Sequence, residues 1–258
     1  MRIKVSEFTS SSCSSLDLPL PKPGEIWEVN RSVHSPIEFS SQEQQNLYSK
    51  DARRFLEGNS EPRYVMIVRE PERAIELEQE QEWQLVSVML LSVKTSFLSH
   101  IDLIIPSSLS GVGQDLLAQT WHILPMLTCN LSHQVAQRLS RKIYDVLLSV
   151  GDYYHGLVEQ APLPEEIDLL GLKVGTVSSE AHSKIEAFHQ HEEAWSDILK
   201  IPVAAYHTYL KTMKLSDKIL DEAMTVEREF TEAEREILGQ LQPELDAFIT
   251  SREGLRAN

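Results

Sequence analysis

Two apolar runs lie close together in the first half of the chain, and they leave few folds open. Tyr64-Val65-Met66-Ile67-Val68 follows Arg63, and Leu85-Val86-Ser87-Val88-Met89-Leu90-Leu91 ends at Ser92. Runs this short, apolar and partly β-branched predict core strands rather than helices. The glutamate-rich stretch between them, 70–82, predicts an exposed loop. If the two strands pair side by side, Arg63 and Ser92 face one groove.

Further elements surround this pair. Pro21-Lys22-Pro23-Gly24 is a turn signal, and Glu25-Ile26-Trp27-Glu28-Val29 predicts a first strand. Residues 41–57 carry Leu47, Tyr48, Ala52, Phe55 and Leu56 at helical spacing. Ser40 and Glu43 form a capping box at its start, and Gly58 provides a stop. His100-Ile101-Asp102-Leu103-Ile104-Ile105, closed by Pro106, predicts a third core strand. Ser107 to Gly113 predicts a loop, and Leu116 to Leu127 one or two short strands around Pro125. Asn130 and Ser132 are candidate caps for a helix over 132–150, whose Val135, Leu139, Ile143, Val146 and Val150 share a face.

The rest of the chain has a different pattern. Pro162 and Pro164 mark a linker, followed by a short apolar piece from Leu169 to Val177. Helical segments come next. Ile185, Phe188, Trp195 and Ile198 line the first, and Pro202 ends it or starts another. Val203, Tyr206, Leu210, Met213, Leu220 and Met224 keep a heptad-like spacing suited to packing on another helix. Thr231 and Glu234 form a second capping box, and Pro243 predicts a kink in the last helix. These patterns predict an N-terminal segment over 1–21, a small α+β unit over 22–155 and an acidic helical domain over 156–258.

The charge of −15 is uneven. Residues 1–150 hold 14 Lys and Arg against 18 Asp and Glu, whereas residues 151–258 hold 10 against 21. Such an acidic second part repels phosphate and argues against a general nucleic-acid surface there. A basic protein partner suits it better. No apolar run approaches the ~20 residues of a membrane span, and no apolar leader opens the chain, so the expectation is a cytoplasmic protein without a membrane. Cys13 and Cys129 do not make a disulfide framework.

Several residues have chemically useful side chains, each with a plain alternative. Arg63 is either a strand-edge charge paired with Glu61 or Glu70, or a phosphate-binding group. Ser92 is either a strand-end hydroxyl or its helper. His100, His122 and Asp102 are an acid–base group or simply satisfied strand-end residues. Lys50, Arg53 and Arg54 either touch phosphate or make a solvated helix face, the latter being the default. His189-Gln190-His191-Glu192-Glu193, with His182, has metal-capable types, but the His pair is two apart and falls on different helix faces, so a solvated face is the expectation. No metal or cofactor is therefore expected.

Pro23-Gly24-Glu25-Ile26-Trp27, Arg63 to Val68, Val86 to Ser92, His100 to Leu103, Leu116-Leu117-Ala118-Gln119 and the helix at 132–150 together resemble the MazF/PemK (CcdB-like) barrel family over roughly residues 22–150. The resemblance implies a small SH3-like/CcdB-like β-barrel with a C-terminal helix, followed by the all-α domain. Many members are toxins that cut single-stranded RNA without a metal, and they commonly dimerise through the barrel. Carried over, their Arg and hydroxyl roles fall on Arg63 and Ser92: the guanidinium stabilises a charged phosphorane while the hydroxyl positions the 2′-OH.

The chain departs from the family in three ways. Tyr64 replaces a usual Pro and Ser92 a commoner Thr. Trp121-His122 stands where a second Arg is usual. A helix is expected in the loop before Arg63, where members have a short basic loop. MazF-like folds also act as protease-sensitive regulators in some antiviral signalling systems. The expectation is therefore a non-catalytic binding or regulatory protein that engages a protein partner through its acidic helical domain. The alternative is a metal-independent endoribonuclease toxin, inhibited in cis by that same acidic part.

Overall fold

A computed structural model of the chain describes residues 20–37, 39–71, 83–175 and 182–212. Seven strands form one antiparallel sheet: β1 (Ile26–Val29), β2 (Tyr64–Arg69), β3 (Leu85–Ser92), β4 (Asp102–Ile105), β5 (Leu116–Leu127), β6 (Leu131–Gln134) and β7 (Lys173–Val174). Their order is β6-β1-β2-β3-β5-β4-β7. The helices are α1 (Ser41–Leu47), α2 (Lys50–Leu56), α3 (Ser107–Ser110), α4 (Arg141–Tyr154), α5 (Pro164–Leu169), α6 (His182–Trp195) and α7 (Asp197–Thr212). The class is α+β, and the two apolar runs are indeed neighbouring strands, β2 and β3.

The side-chain alternation of the strands builds two cores. Met66, Met89, Leu91, Leu103 and Ala118 point to one face, where Leu139, Ile143, Leu147 and Val150 cover them. Val65, Ile67, Val86, Val88 and Leu90 point to the other, against Phe55 of α2, Trp195 of α6 and Ile198, Leu199 and Ile201 of α7. Strands covered on both faces carry no polar alternation, which is why β2 and β3 are continuous apolar runs. The second face shares its core with α6 and α7, so these helices bury their apolar residues directly against the sheet.

Several boundaries differ from the sequence expectation. Residues 131–134 form β6, paired with β1 through Val29–Leu131 and Trp27–Gln134, so the helix starts at Arg141 instead of 132. Ser140 supplies the cap, accepting from the Ile143 amide. Asn130 is instead fully buried and bridges the backbone of His34 in both directions. The 41–57 helix is two helices, because Tyr48 is extended and Ser49 caps α2. The Ser40–Glu43 capping box and the left-handed Gly58, at φ 77°, are present as read.

Ser107–Ser110 makes a short helix within the expected loop, and β5 runs unbroken through Pro125. The proline linker leads into α5, with Pro164 in its first turn, and the apolar piece after it reaches β7. Pro202 lies inside α7, whose residues from Ile198 to Thr208 are all buried. The later heptad positions, the second capping box and Pro243 lie outside the described residues.

Candidate functional site

Arg63 stands one residue before β2. Tyr64 pairs with Leu91, and extending that register by one sets Arg63 opposite Ser92. Opposite residues share a face. By alternation this is the face of Val65, Ile67, Val88 and Leu90, the one that α6 and α7 cover. The expected side-by-side placement of Arg63 and Ser92 therefore holds.

Two more polar residues join them from the other side of β3. Gln119 pairs with Asp102 across β5 and β4, and both alternate with Leu117 and Ile104 onto the covered face. The register between β3 and β5 slips between Met89–Ile123 and Leu91–Ala118. Residues 119–122 form the resulting bulge, a feature that re-aims side chains locally. Gln119 and Asp102 are fully buried, and Ser92 nearly so.

Helix α6 lies over this polar end of the sheet. Ile185, Phe188, Glu192 and Trp195 follow at helical spacing and are all buried. A carboxylate therefore sits in an apolar stripe, 1% exposed, against an arginine that is 12% exposed. Arg63 Nη1 donates to both Glu192 oxygens, at 2.7 and 2.6 Å. Gln119 Nε2 donates to Glu192 Oε2 at 2.8 Å. The Arg63 guanidinium also lies 4.7 Å from the Trp195 ring centroid, a cation–π contact. Removing either member of such a buried pair costs about 3–5 kcal/mol, since the other charge stays buried alone.

A second polar cluster adjoins the first. Asp102 accepts from Ser99 Oγ at 2.5 Å, from Trp121 Nε1 at 3.1 Å and lies 3.4 Å from His189 Nε2. The Trp121 ring lies 4.5 Å from both His122 and His189. Burial, with Lys200 and His189 nearby, pushes His122 down to about 3. The outer turns of α6 are tied too: Phe188 stacks on Phe97, His191 pairs with Asp51, and Ser49, the cap of α2, donates to the Ala194 carbonyl.

The other sequence candidates separate. His100 is exposed, and the carboxylate of Asp102 meets His189 rather than His100 or His122. Arg63 pairs with neither Glu61 nor Glu70 but with Glu192. Ser92 Oγ accepts from the Lys94 amide, a local strand-end bond. Lys50 and Arg54 are exposed, while Arg53 donates to the Gln45 carbonyl of α1. Among the described residues, no cluster of three or more His, Cys, Asp or Glu is placed to hold a metal ion. No described helix is long and apolar enough to cross a membrane.

The sequence reading put Glu192 on a solvated helix face, whereas the structure buries it as the partner of Arg63. The usable signal was its register: it fills the gap between Phe188 and Trp195 in an apolar stripe, where a charge demands a partner. No protein-family model matches this chain, and no curated protein matches it either. The site therefore rests on its own geometry: an arginine, a buried amide and a strand-end hydroxyl on one sheet face, occupied by a carboxylate from the chain's own helix.

Proposed function

We propose that the chain is a MazF/PemK-like binding or regulatory protein, in which an SH3-like/CcdB-like barrel has its arginine groove shut by the chain's own helices. Its acidic residues, over 156–258, engage a protein partner. One observation carries this reading: the Arg63 guanidinium is engaged within the chain, by the Glu192 carboxylate and the Trp195 ring. The excess of acidic residues in the second part of the chain supports a basic partner. A cytoplasmic setting and a homodimer through the barrel belong to the same reading.

A second reading has its own support. Arg63 and Ser92 fall on one sheet face, which supports the roles that the resemblance assigns them, and the group held by Arg63 is an anion. A metal-independent endoribonuclease inhibited in cis fits those facts. The two readings part on incubation of the full-length protein with single-stranded RNA in EDTA. The binding reading expects intact RNA with wild type, Glu192→Gln and Arg63→Ala alike. Cleavage by Glu192→Gln that disappears when Arg63→Ala is added would overturn it. Purification of the full chain from its native host tests the partner, and recovery of the chain alone would remove that half of the proposal.

A further inference from the structure

We infer that the exposed apolar residues from Tyr153 to Leu169 are a docking surface for a basic amphipathic segment of another protein. The inference rests on the partner-binding half of the reading above and narrows it to one place: the end of α4, the loop after it and α5.

Exposure singles out this stretch. Leu20 apart, every large apolar side chain exposed among the described residues lies here: Tyr153, Tyr154, Leu157, Val158, Leu163 and Leu169. Leu157 is 73% exposed and Leu169 86%. Single exposed leucines are ordinary, whereas such a concentration belongs to an interaction surface. Its backbone is anchored from beneath. Leu147 and Val150 of α4 and Ile167 of α5 are buried in one core, and the His155 ring contacts the Trp121 carbonyl. The apolar side chains are therefore presented by seated helices.

Charge selects the occupant. Between Lys142 and Lys173 the chain has no Lys or Arg but six acidic residues. Of these, Glu159, Glu165, Glu166 and Asp168 are exposed among the apolar side chains. The last turn of α4 has no basic residue either, so the negative end of its dipole adds to the same field. An apolar centre with an acidic rim fits a helix with one apolar and one basic face. Other occupants fit worse. A second copy meeting this surface across a two-fold axis would set acid against acid. An anionic lipid surface would be repelled in the same way. The chain's own remaining segments are not basic: residues 213–258 hold 6 Lys and Arg against 11 Asp and Glu, residues 72–82 hold 1 against 5, and residues 1–19 are balanced.

A fluorescent peptide of leucine and lysine, its leucines at helical spacing, tests this by anisotropy against the full-length chain. A peptide of the same composition without the apolar stripe is the control. Wild type should bind the striped peptide about tenfold more tightly than the control. Leu157→Ser combined with Leu169→Ser should remove that advantage, since burying one leucine is worth a factor of about ten. Glu165→Gln combined with Asp168→Asn should flatten the salt dependence of binding. All four positions are exposed, and circular dichroism checks that the variants keep the fold. Equal affinity for both peptides, or binding unchanged by the leucine substitutions, would overturn the inference and leave only general attraction to an acidic protein. Purification from the native host separates the two levels of failure. A partner retained equally by wild type and by the double-leucine variant overturns the surface and spares the reading beneath it; recovery of wild type alone overturns both.

Discussion

A carboxylate in an apolar seam is expensive to keep, and Glu192 is kept by Arg63 and Gln119 together. Arg63 was legible as a residue of interest because a charge at the head of an apolar strand is conspicuous. Its partner was not legible, since it lies 129 positions away and the nearer glutamates, Glu61 and Glu70, look equally suitable along the chain. Which acid is reached depends on how the helices return to the sheet. His122 offers a test at the same scale. Its folded value lies near 3, below the ordinary 6.5, because burial penalises the charged ring. Between those values the unfolded chain binds more protons than the folded one, so stability is full above about pH 6.5 and falls as pH drops, levelling off near 3. The slope from this group is at most about 1.4 kcal/mol per pH unit. Urea midpoints at pH 7, 6, 5 and 4 should fall less steeply in His122→Gln than in wild type. Parallel profiles would mean that His122 is not buried neutral.

Elements were legible where periodicity is strong and local. β2, β3 and the stripe of α4 are read directly from side-chain spacing, and so is the capping box of α1. Boundaries set by distant pairing were not. Residues 131–134 have a helical pattern but become β6, because β1 needs a partner on its free side. The bulge of β5 was equally hidden, since nothing in Leu116 to Leu127 marks where its register against β3 slips. The opposite face shows how closely β5 is held. A Cβ placed on Gly151 of α4 would lie 2.5 Å from the Thr120 carbonyl oxygen. Alanine gains helix propensity of nearly 1 kcal/mol at such a position, but the clash with fixed backbone outweighs it. Gly151→Ala should therefore lower stability by about 1–3 kcal/mol in urea unfolding. An unchanged or higher midpoint would show that α4 is not seated against the bulge.

At the scale of the molecule, the chain pattern suggested an α+β unit and a separate helical part. The described helices instead share a core with the sheet, through Trp195, Ile198, Leu199 and Ile201 against Val65, Ile67, Val88 and Leu90. Composition records that the second part is acidic; it cannot record which sheet face receives its apolar stripe. Shared burial predicts one cooperative transition. Helical circular dichroism and the fluorescence of the tryptophans, with Trp27 and Trp195 in that core, should report the same midpoint in urea. Two separated midpoints would make the helices an independent unit. Placing the occupant on the same chain has a consequence in time. Glu192 follows Gln119 by 73 residues. Ribosomes add ~5–20 residues per second, so roughly 4–15 s separate synthesis of Gln119 from synthesis of Glu192. Every molecule therefore begins life with its arginine uncovered, and every molecule carries one copy of what will cover it.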